Sequence, residues 1–322
     1  MPKRVPSDYD SAWKEALTYY FELFMEFCFP GFYKDIDWKR GYETMDSELQ
    51  EVIADAETGR RLADKLVKVW LLNGQEALLL LHVEVQGQYQ ADFAKRMFIY
   101  NSRLLDRYGL EVISFAVLAD DRKSWQPEEY EYSRRDFKRY FHFPTVKLLD
   151  YQSQWSILEE SKNPFAIVIM AHLKAMATLG NNQERKKWKL HLVRLLFERG
   201  YDREQIRNLF RFIEWIMALP KEIQQEFKAE VKRLEEEKTM PFLTSFELDG
   251  IEKGLKEGTL QNARKSICKV LEVRFSEVPD NITATLDEID NTEWLEQLLE
   301  QAVTVASLEA FEQLLASGKQ SS

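Results

Sequence analysis

The sequence predicts an α/β protein in which a mixed central sheet with flanking helices is followed by an all-helical C-terminal extension. Three observations lead there. Two apolar runs, Leu62–Leu72 and Gln75–Gln86, flank Asn73-Gly74, and Asn and Gly accept the positive φ that a tight hairpin turn demands. A helical pattern over Ala91–Tyr108 then separates the hairpin from a third, almost continuously apolar run, Leu110–Leu118. A strand–helix–strand crossover of that length implies a parallel pair with a right-handed connection. From Asn163 onward, apolar residues recur at helical spacing with little β signal.

Taken in order, Ser7–Ser11 offers helix caps, and Trp13, Leu17, Tyr20, Phe21, Phe24 and Cys28 give a first helix a broad apolar face that ends at Pro30-Gly31. Asp35–Lys39 reads as a connector, and Asp46–Glu51 as an irregular lead into the hairpin. In Ala91–Tyr108, Phe93, Met97, Tyr100 and Leu104 make one stripe, and Gly109 supplies the C-cap. Leu110–Leu118 has the continuous apolarity of a central strand buried on both faces. Trp125–Pro144 interleaves aromatic residues with Arg134, Arg135, Lys138 and Arg139. Such a segment can serve nucleic acid, or it can form two short strands on the sheet with a charged outer face. Thr145–Leu149 is a further strand. Pro164–Leu179, Glu184–Arg199, Arg203–Leu219 and Lys221–Lys238 follow as helices. Gly250, Gly254 and Gly258 recur every four residues, which in water reads as a hinge or as a weak helix that another backbone approaches closely. Asn262–Phe275, Ile282–Ile289, Trp294–Val305 and Leu308–Leu315 complete an acidic helical module. The expected domains are a core over 1–150, a helical extension over 151–238 and the module over 239–322, suited to oligomerisation.

Composition narrows the function. The 322 residues are 45% hydrophobic and 13% aromatic, enough for a real core, and the net charge is −10. An acidic total argues against nucleic-acid binding through a broad basic surface. It leaves open an enzyme that meets phosphate through a metal and a local basic cluster. Cys28 and Cys268 sit in apolar helical patterns, as buried thiols do in a reducing cytoplasm. The four histidines lack metal-ligand spacing, and neither a signal segment nor a membrane-spanning apolar stretch is visible.

The chemistry gathers at the open end of the hairpin. Asp64 enters the first strand and Glu84 leaves the second. Two carboxylates brought together repel unless a cation lies between them, and Mg²⁺ takes one or two carboxylates with waters and phosphate oxygens. Glu84 also stands in an apolar run, where an unpaired carboxylate is costly. Register decides whether the two meet. A two-residue loop at Asn73-Gly74 sets Asp64 opposite Val83, whereas one odd residue, from a loop through Gln75 or a bulge, pairs Asp64 with Glu84. The odd residue is the expectation.

With these elements in place, the chain resembles the PD-(D/E)XK nucleases, and within them the recombination-promoting nuclease (Rpn) or YhgA-like transposase family. The resemblance spans about residues 7–150 and rests on an ordered set of motifs: Asp10-Ser11-Ala12-Trp13-Lys14 in the first helix, Asp64, Glu84-Val85-Gln86, Arg96 with Tyr100 in the next helix, and Trp125 after the third strand. In the wider superfamily a Lys stands where this chain has Gln86. The resemblance implies a cytoplasmic, metal-dependent DNA endonuclease linked to recombination or mobile elements. It implies Mg²⁺ or Mn²⁺ held by Asp64, Glu84 and the carbonyl of Val85, with Asp10 adding an oxygen. Gln86 would act beside Asp64 and Glu84 in catalysis, and Arg96, Tyr100 and Lys14 would contact substrate. Arg96 could equally serve as the partner that satisfies Glu84, and Tyr100 could belong to the core. The competing reading is a catalytically weak or inactive nuclease scaffold that works through protein association.

Overall fold

The computed structural model describes residues 9–47, 49, 65–84, 92–237, 245–275 and 278–318. The chain divides into two compact units, Met1–Phe242 and Leu243–Ser322.

The first unit is α/β. Helix α1 (Tyr9–Cys28) is followed by the single turn α2 (Pro30–Tyr33), so the chain resumes a helical turn at Pro30 after α1 has ended at Cys28. Strands β1 (Tyr42–Thr44), β2 (Lys65–Trp70), β3 (Glu76–Glu84), β4 (Glu111–Leu118) and β7 (Thr145–Lys147) form one sheet in the order β1-β2-β3-β4-β7. The first three pair antiparallel, and β3, β4 and β7 run parallel. Between β3 and β4 lies α3 (Phe93–Tyr108), closed by Gly109 at φ +64. The edge strand β1 falls between the Asp35–Lys39 connector and the Asp46–Glu51 lead, where the sequence pattern assigns no element, because one half-buried and two exposed residues carry no periodicity.

Alternation along the strands sorts the layers. Leu66, Leu78 and Leu80 face α3 and pack with Tyr100 and Leu104. Further along the same face, Ala116 and Leu118 pack with Phe93, Met97, Trp125 and Phe143. On the opposite face Phe115 meets Phe29 and Phe32, with ring centroids 4.6 and 5.0 Å away. Helix α5 (Pro164–Ala177) lies behind α1, its Phe165 ring 4.9 Å from that of Phe24. Ten consecutive residues of α5, Pro164–Leu173, are buried; a helix apolar all round belongs inside a core. Around it stand α4 (Trp155–Glu160), α6 (Asn182–Glu198) and α7 (Arg203–Ile216), and α8 (Lys221–Glu237) packs on α6. Asp202 and Gln205 form a reciprocal capping box at the start of α7.

The hairpin differs from expectation in its loop residues and in its register. The odd residue is present, but Leu72 supplies it and Gln75 does not. Leu71 N–H donates to Gln75 O at 2.8 Å and Gly74 N–H to Leu71 O at 2.8 Å, enclosing Leu72-Asn73-Gly74. Asn73 Oδ1 accepts from Gln75 N, and Gly74 takes φ +86. Lys65 therefore pairs with Leu81, where an Asp64–Glu84 pairing requires Val83. A shift of two preserves face alternation. Asp64 itself, with Val85 and Gln86, lies outside the described residues.

The aromatic-basic segment leaves the central sheet altogether. Strands β5 (Glu129–Arg134) and β6 (Phe137–His142) make a separate two-stranded ribbon.

In the second unit, α9 (Ser245–Phe275) runs through Gly250, Gly254 and Gly258 as one helix of 31 residues. The segment is helix rather than a break, and at Gly254 and Gly258 a Cβ would meet nothing within 4 Å among the described residues. Helices α10 (Asp280–Asp287), α11 (Thr292–Thr304) and α12 (Leu308–Gly318) pack on its C-terminal half around Ile267, Leu271, Leu295 and Phe311. Among the described residues, no helix is long and apolar enough to cross a membrane.

Gly74 gives a direct test of the turn. Gly74→Ala keeps open space around the new methyl but places it at positive φ, a cost of about 1–2 kcal/mol. The urea midpoint, followed by tryptophan fluorescence, should fall accordingly; residues 1–242 hold seven of the eight indoles.

Candidate functional site

Parallel strands deliver their carboxyl ends to one edge of a sheet, and ligand sites in open α/β proteins form at such edges. Here the last row across β3, β4 and β7 is Glu84, Leu118 and Lys147. The hairpin carries the entry to β2 at Lys65 to the same end, since Lys65 pairs with Leu81 three residues before β3 stops.

Two buried polar groups hold this edge. Lys147 and Asp120 form an ion pair with almost no exposure of either side chain. The ammonium also donates to Trp125 O at 3.2 Å, and the second carboxylate oxygen of Asp120 accepts from Arg122 N at 2.8 Å. Both groups are thus satisfied, so the pair fastens the loop after β4 to β7.

The second group is His172 on α5. Its Nδ1 accepts from Trp13 Nε1–H at 3.2 Å, and its Nε2–H donates to Ala119 O at 2.8 Å. That arrangement fits one neutral tautomer. Burial pushes the imidazole pKa down from 6.5 to about 4, against a smaller opposing effect of the hydrogen bond to Ala119 and the charge of Asp120. Tyr9 packs edge-on against the same ring at 5.4 Å. The start of α1 is thereby tied to the end of β4.

The residues picked out from the sequence fall as follows. Glu84 ends β3. Asp10 lies in the first turn of α1, the turn that Tyr9 and Trp13 anchor. Lys14 is partly exposed on the same helix. Arg96 and Tyr100 sit one turn apart on the buried side of α3. Tyr100 belongs to the leucine cluster beneath α3. Arg96 is only 8% exposed, its guanidinium 5.8 Å from the Phe93 ring centroid, and its Nε has no hydrogen-bond partner among the described residues. Among the described residues no group of three or more His, Cys, Asp or Glu is arranged to hold a metal ion. Asp64, Val85 and Gln86 stand outside them.

Sequence reasoning passed over Asp120, Lys147 and His172. Lys147 had a readable signal, a single charge between Val146 and Leu148, the same signal that marks Glu84. His172 had none, because its two partners are 159 and 53 residues away.

This geometry defines the class: an α/β protein with a mixed five-stranded sheet and a polar cluster at the carboxyl ends of its parallel strands. No family model, no curated protein and no solved structure matches the chain.

Two measurements check the edge. His172 is held neutral, so the unfolded chain binds the extra proton between pH 6.5 and about 4. Its contribution is complete above pH 6.5 and is lost as pH falls toward 4, by about 3 kcal/mol; His172→Gln should flatten that part of the stability–pH curve. Lys147→Met leaves the Asp120 carboxylate buried without its cation and should cost about 3–5 kcal/mol in urea unfolding. Adding Asp120→Asn should recover part of that loss.

Proposed function

We propose that this chain is a metal-dependent DNA endonuclease built on a PD-(D/E)XK-like core, of the kind that acts in recombination or on mobile elements. The observation that carries the proposal is the placement of Glu84. It ends β3 at the edge where the chain enters β2, in a sheet assembled in the order α1, β2, β3, α3, β4. That is the order of elements the sequence resemblance implies.

The donor set suits a hard cation. Asp64, Glu84 and the Val85 carbonyl offer oxygen only, which favours Mg²⁺ or Mn²⁺ over softer metals. Such an ion supplies a Lewis acid for a phosphate oxygen and lowers the pKa of an attacking water. Asp10 would bring a further carboxylate from the first turn of α1. Gln86 would orient water or phosphate through its amide, which donates and accepts hydrogen bonds but carries no charge. Arg96 contributes a buried positive charge from the first turn of α3. Its Nε has no hydrogen-bond partner among the described residues, and a buried guanidinium is stabilised by an anion brought to it. A phosphodiester at the strand ends is one such anion. Tyr100 would act from within the core by holding α3 against the sheet, and Lys14 from the partly exposed side of α1.

The test is cleavage of supercoiled plasmid in Mg²⁺ or Mn²⁺. Asp64→Ala and Glu84→Ala should each abolish it, and each should remove the Mn²⁺ binding heat seen by calorimetry with the parent chain. Cleavage that survives both substitutions overturns the proposal and leaves the association scaffold.

A further inference from the structure

The β5–β6 ribbon has two unlike faces. Strand pairing places Glu129, Glu131, Ser133, Lys138, Tyr140 and His142 on one of them. That face satisfies itself: Tyr140 O–H donates to Glu129 at 3.0 Å, and Lys138 pairs with Glu131 at 3.2 Å. The other face carries Tyr130, Tyr132, Arg134, Phe137, Arg139 and Phe141. Its base is packed on α3, where Tyr130 stacks on Phe98 at 5.3 Å, Phe141 meets the same ring at 5.7 Å and Arg139 lies over it at 5.1 Å. Its outer half is uncovered. Tyr132 and Phe137 are 48% and 50% exposed, with their rings 5.4 Å apart. Arg134 and Arg135 have no ion-pair partner among the described residues. From Tyr132 to Tyr140 the ribbon carries four Arg and Lys against one Asp.

The tip adds an independent observation. Arg135 and Asp136 form a two-residue turn, since Arg134 pairs with Phe137. Arg135 adopts φ +53, the one non-glycine residue with positive φ among those described. Hairpin turns of this length favour Asn or Gly at that position. An arginine there keeps a long cation at the apex at a cost in backbone strain.

We propose that this face is a binding arm for single-stranded nucleic acid. Unpaired bases stack on Tyr132 and Phe137, while Arg134, Arg135 and Arg139 meet the phosphates. Charge selects a polyanion, and paired exposed rings select one whose bases are free to stack. Lys95, exposed three residues before Phe98 on α3, extends the basic track beyond the base of the ribbon. This inference goes beyond the catalytic proposal and does not rest on it, because it requires neither Asp64, nor Glu84, nor a metal.

The experiment is fluorescence anisotropy of the full chain with a labelled oligo(dT) 20-mer and with a duplex of equal length, in EDTA, across a salt series. EDTA removes any metal-dependent contribution, so failure of the nuclease proposal leaves the result readable. The parent chain should bind oligo(dT) more tightly than the duplex. Tyr132→Ala/Phe137→Ala should weaken oligo(dT) binding by at least about tenfold. Arg134→Ala/Arg135→Ala should weaken it similarly and reduce the slope of log affinity against log salt by about 1.4. Arg135→Gly relieves the turn, so the ribbon stays folded, and it should still weaken binding and lower the slope by about 0.7. Tighter binding of the duplex, or unchanged oligo(dT) affinity in these variants, overturns the inference.

Discussion

The hydrogen-bonded chain from Trp13 through His172 to Ala119 is the constraint on which the core of the first unit depends. It joins the first helix, the central buried helix and the end of the central strand. Each of its polar atoms is buried, and an unpaired buried donor or acceptor costs about 1–3 kcal/mol. The three elements can therefore approach in few ways that leave none unpaired. The aromatic layer around it, Phe24, Phe29, Phe115 and Phe165, is less directional. Rings tolerate many edge and tilted contacts, whereas the imidazole accepts one tautomer and one orientation.

That constraint also arranges the electrostatics of the strand ends. Lys147 and Arg96 are both buried cations, and Lys147, at the end of the parallel strands, has Asp120 as its carboxylate partner. The overall charge of −10 misrepresents this region. Residues 243–322 hold 15 Asp and Glu against 7 Lys and Arg, whereas residues 1–242 hold 39 against 37. A nearly neutral first unit with locally segregated charge suits recognition of a polyanion better than the whole-chain figure suggests. The ribbon shows the same segregation on a smaller scale, with Glu129 and Glu131 paired on one face and Arg134 and Arg139 on the other.

Much of the architecture was legible in the chain because it rests on local rules. Asn73-Gly74 announces the hairpin, Gly109 the end of α3, and the unbroken apolarity of Leu110–Leu118 a strand covered on both faces; Phe115–Leu118 are fully buried. The turn shifted by one residue because Asn73 caps Gln75 N with its own side chain and Gly74 takes the left-handed position. That fixes Leu72 as the first loop residue, a choice that apolar patterning cannot see. For the candidate site, Glu84 was legible as a charge at the end of an apolar strand. Arg96 was legible as a residue, but its burial and its unpartnered Nε were not. The glycine repeat left a hinge and a weak helix both open, and α9 continues through it as helix, since glycine weakens a helix without ending it; the close approach is not met at Gly254 or Gly258.

By itself, the sequence determined the mixed sheet-and-helix class, the order of its elements and the acidic helical end, because hydrophobic period, turn residues and charge act over a few residues. Tertiary structure alone decided that a segment readable as sheet strands stands apart as a two-faced ribbon. It alone decided that Lys147 finds Asp120, and that His172 lies between Trp13 and Ala119. Those pairings join residues 27 to 159 positions apart. No local pattern encodes them; they follow from burying polar groups in a close-packed interior where each must meet a partner.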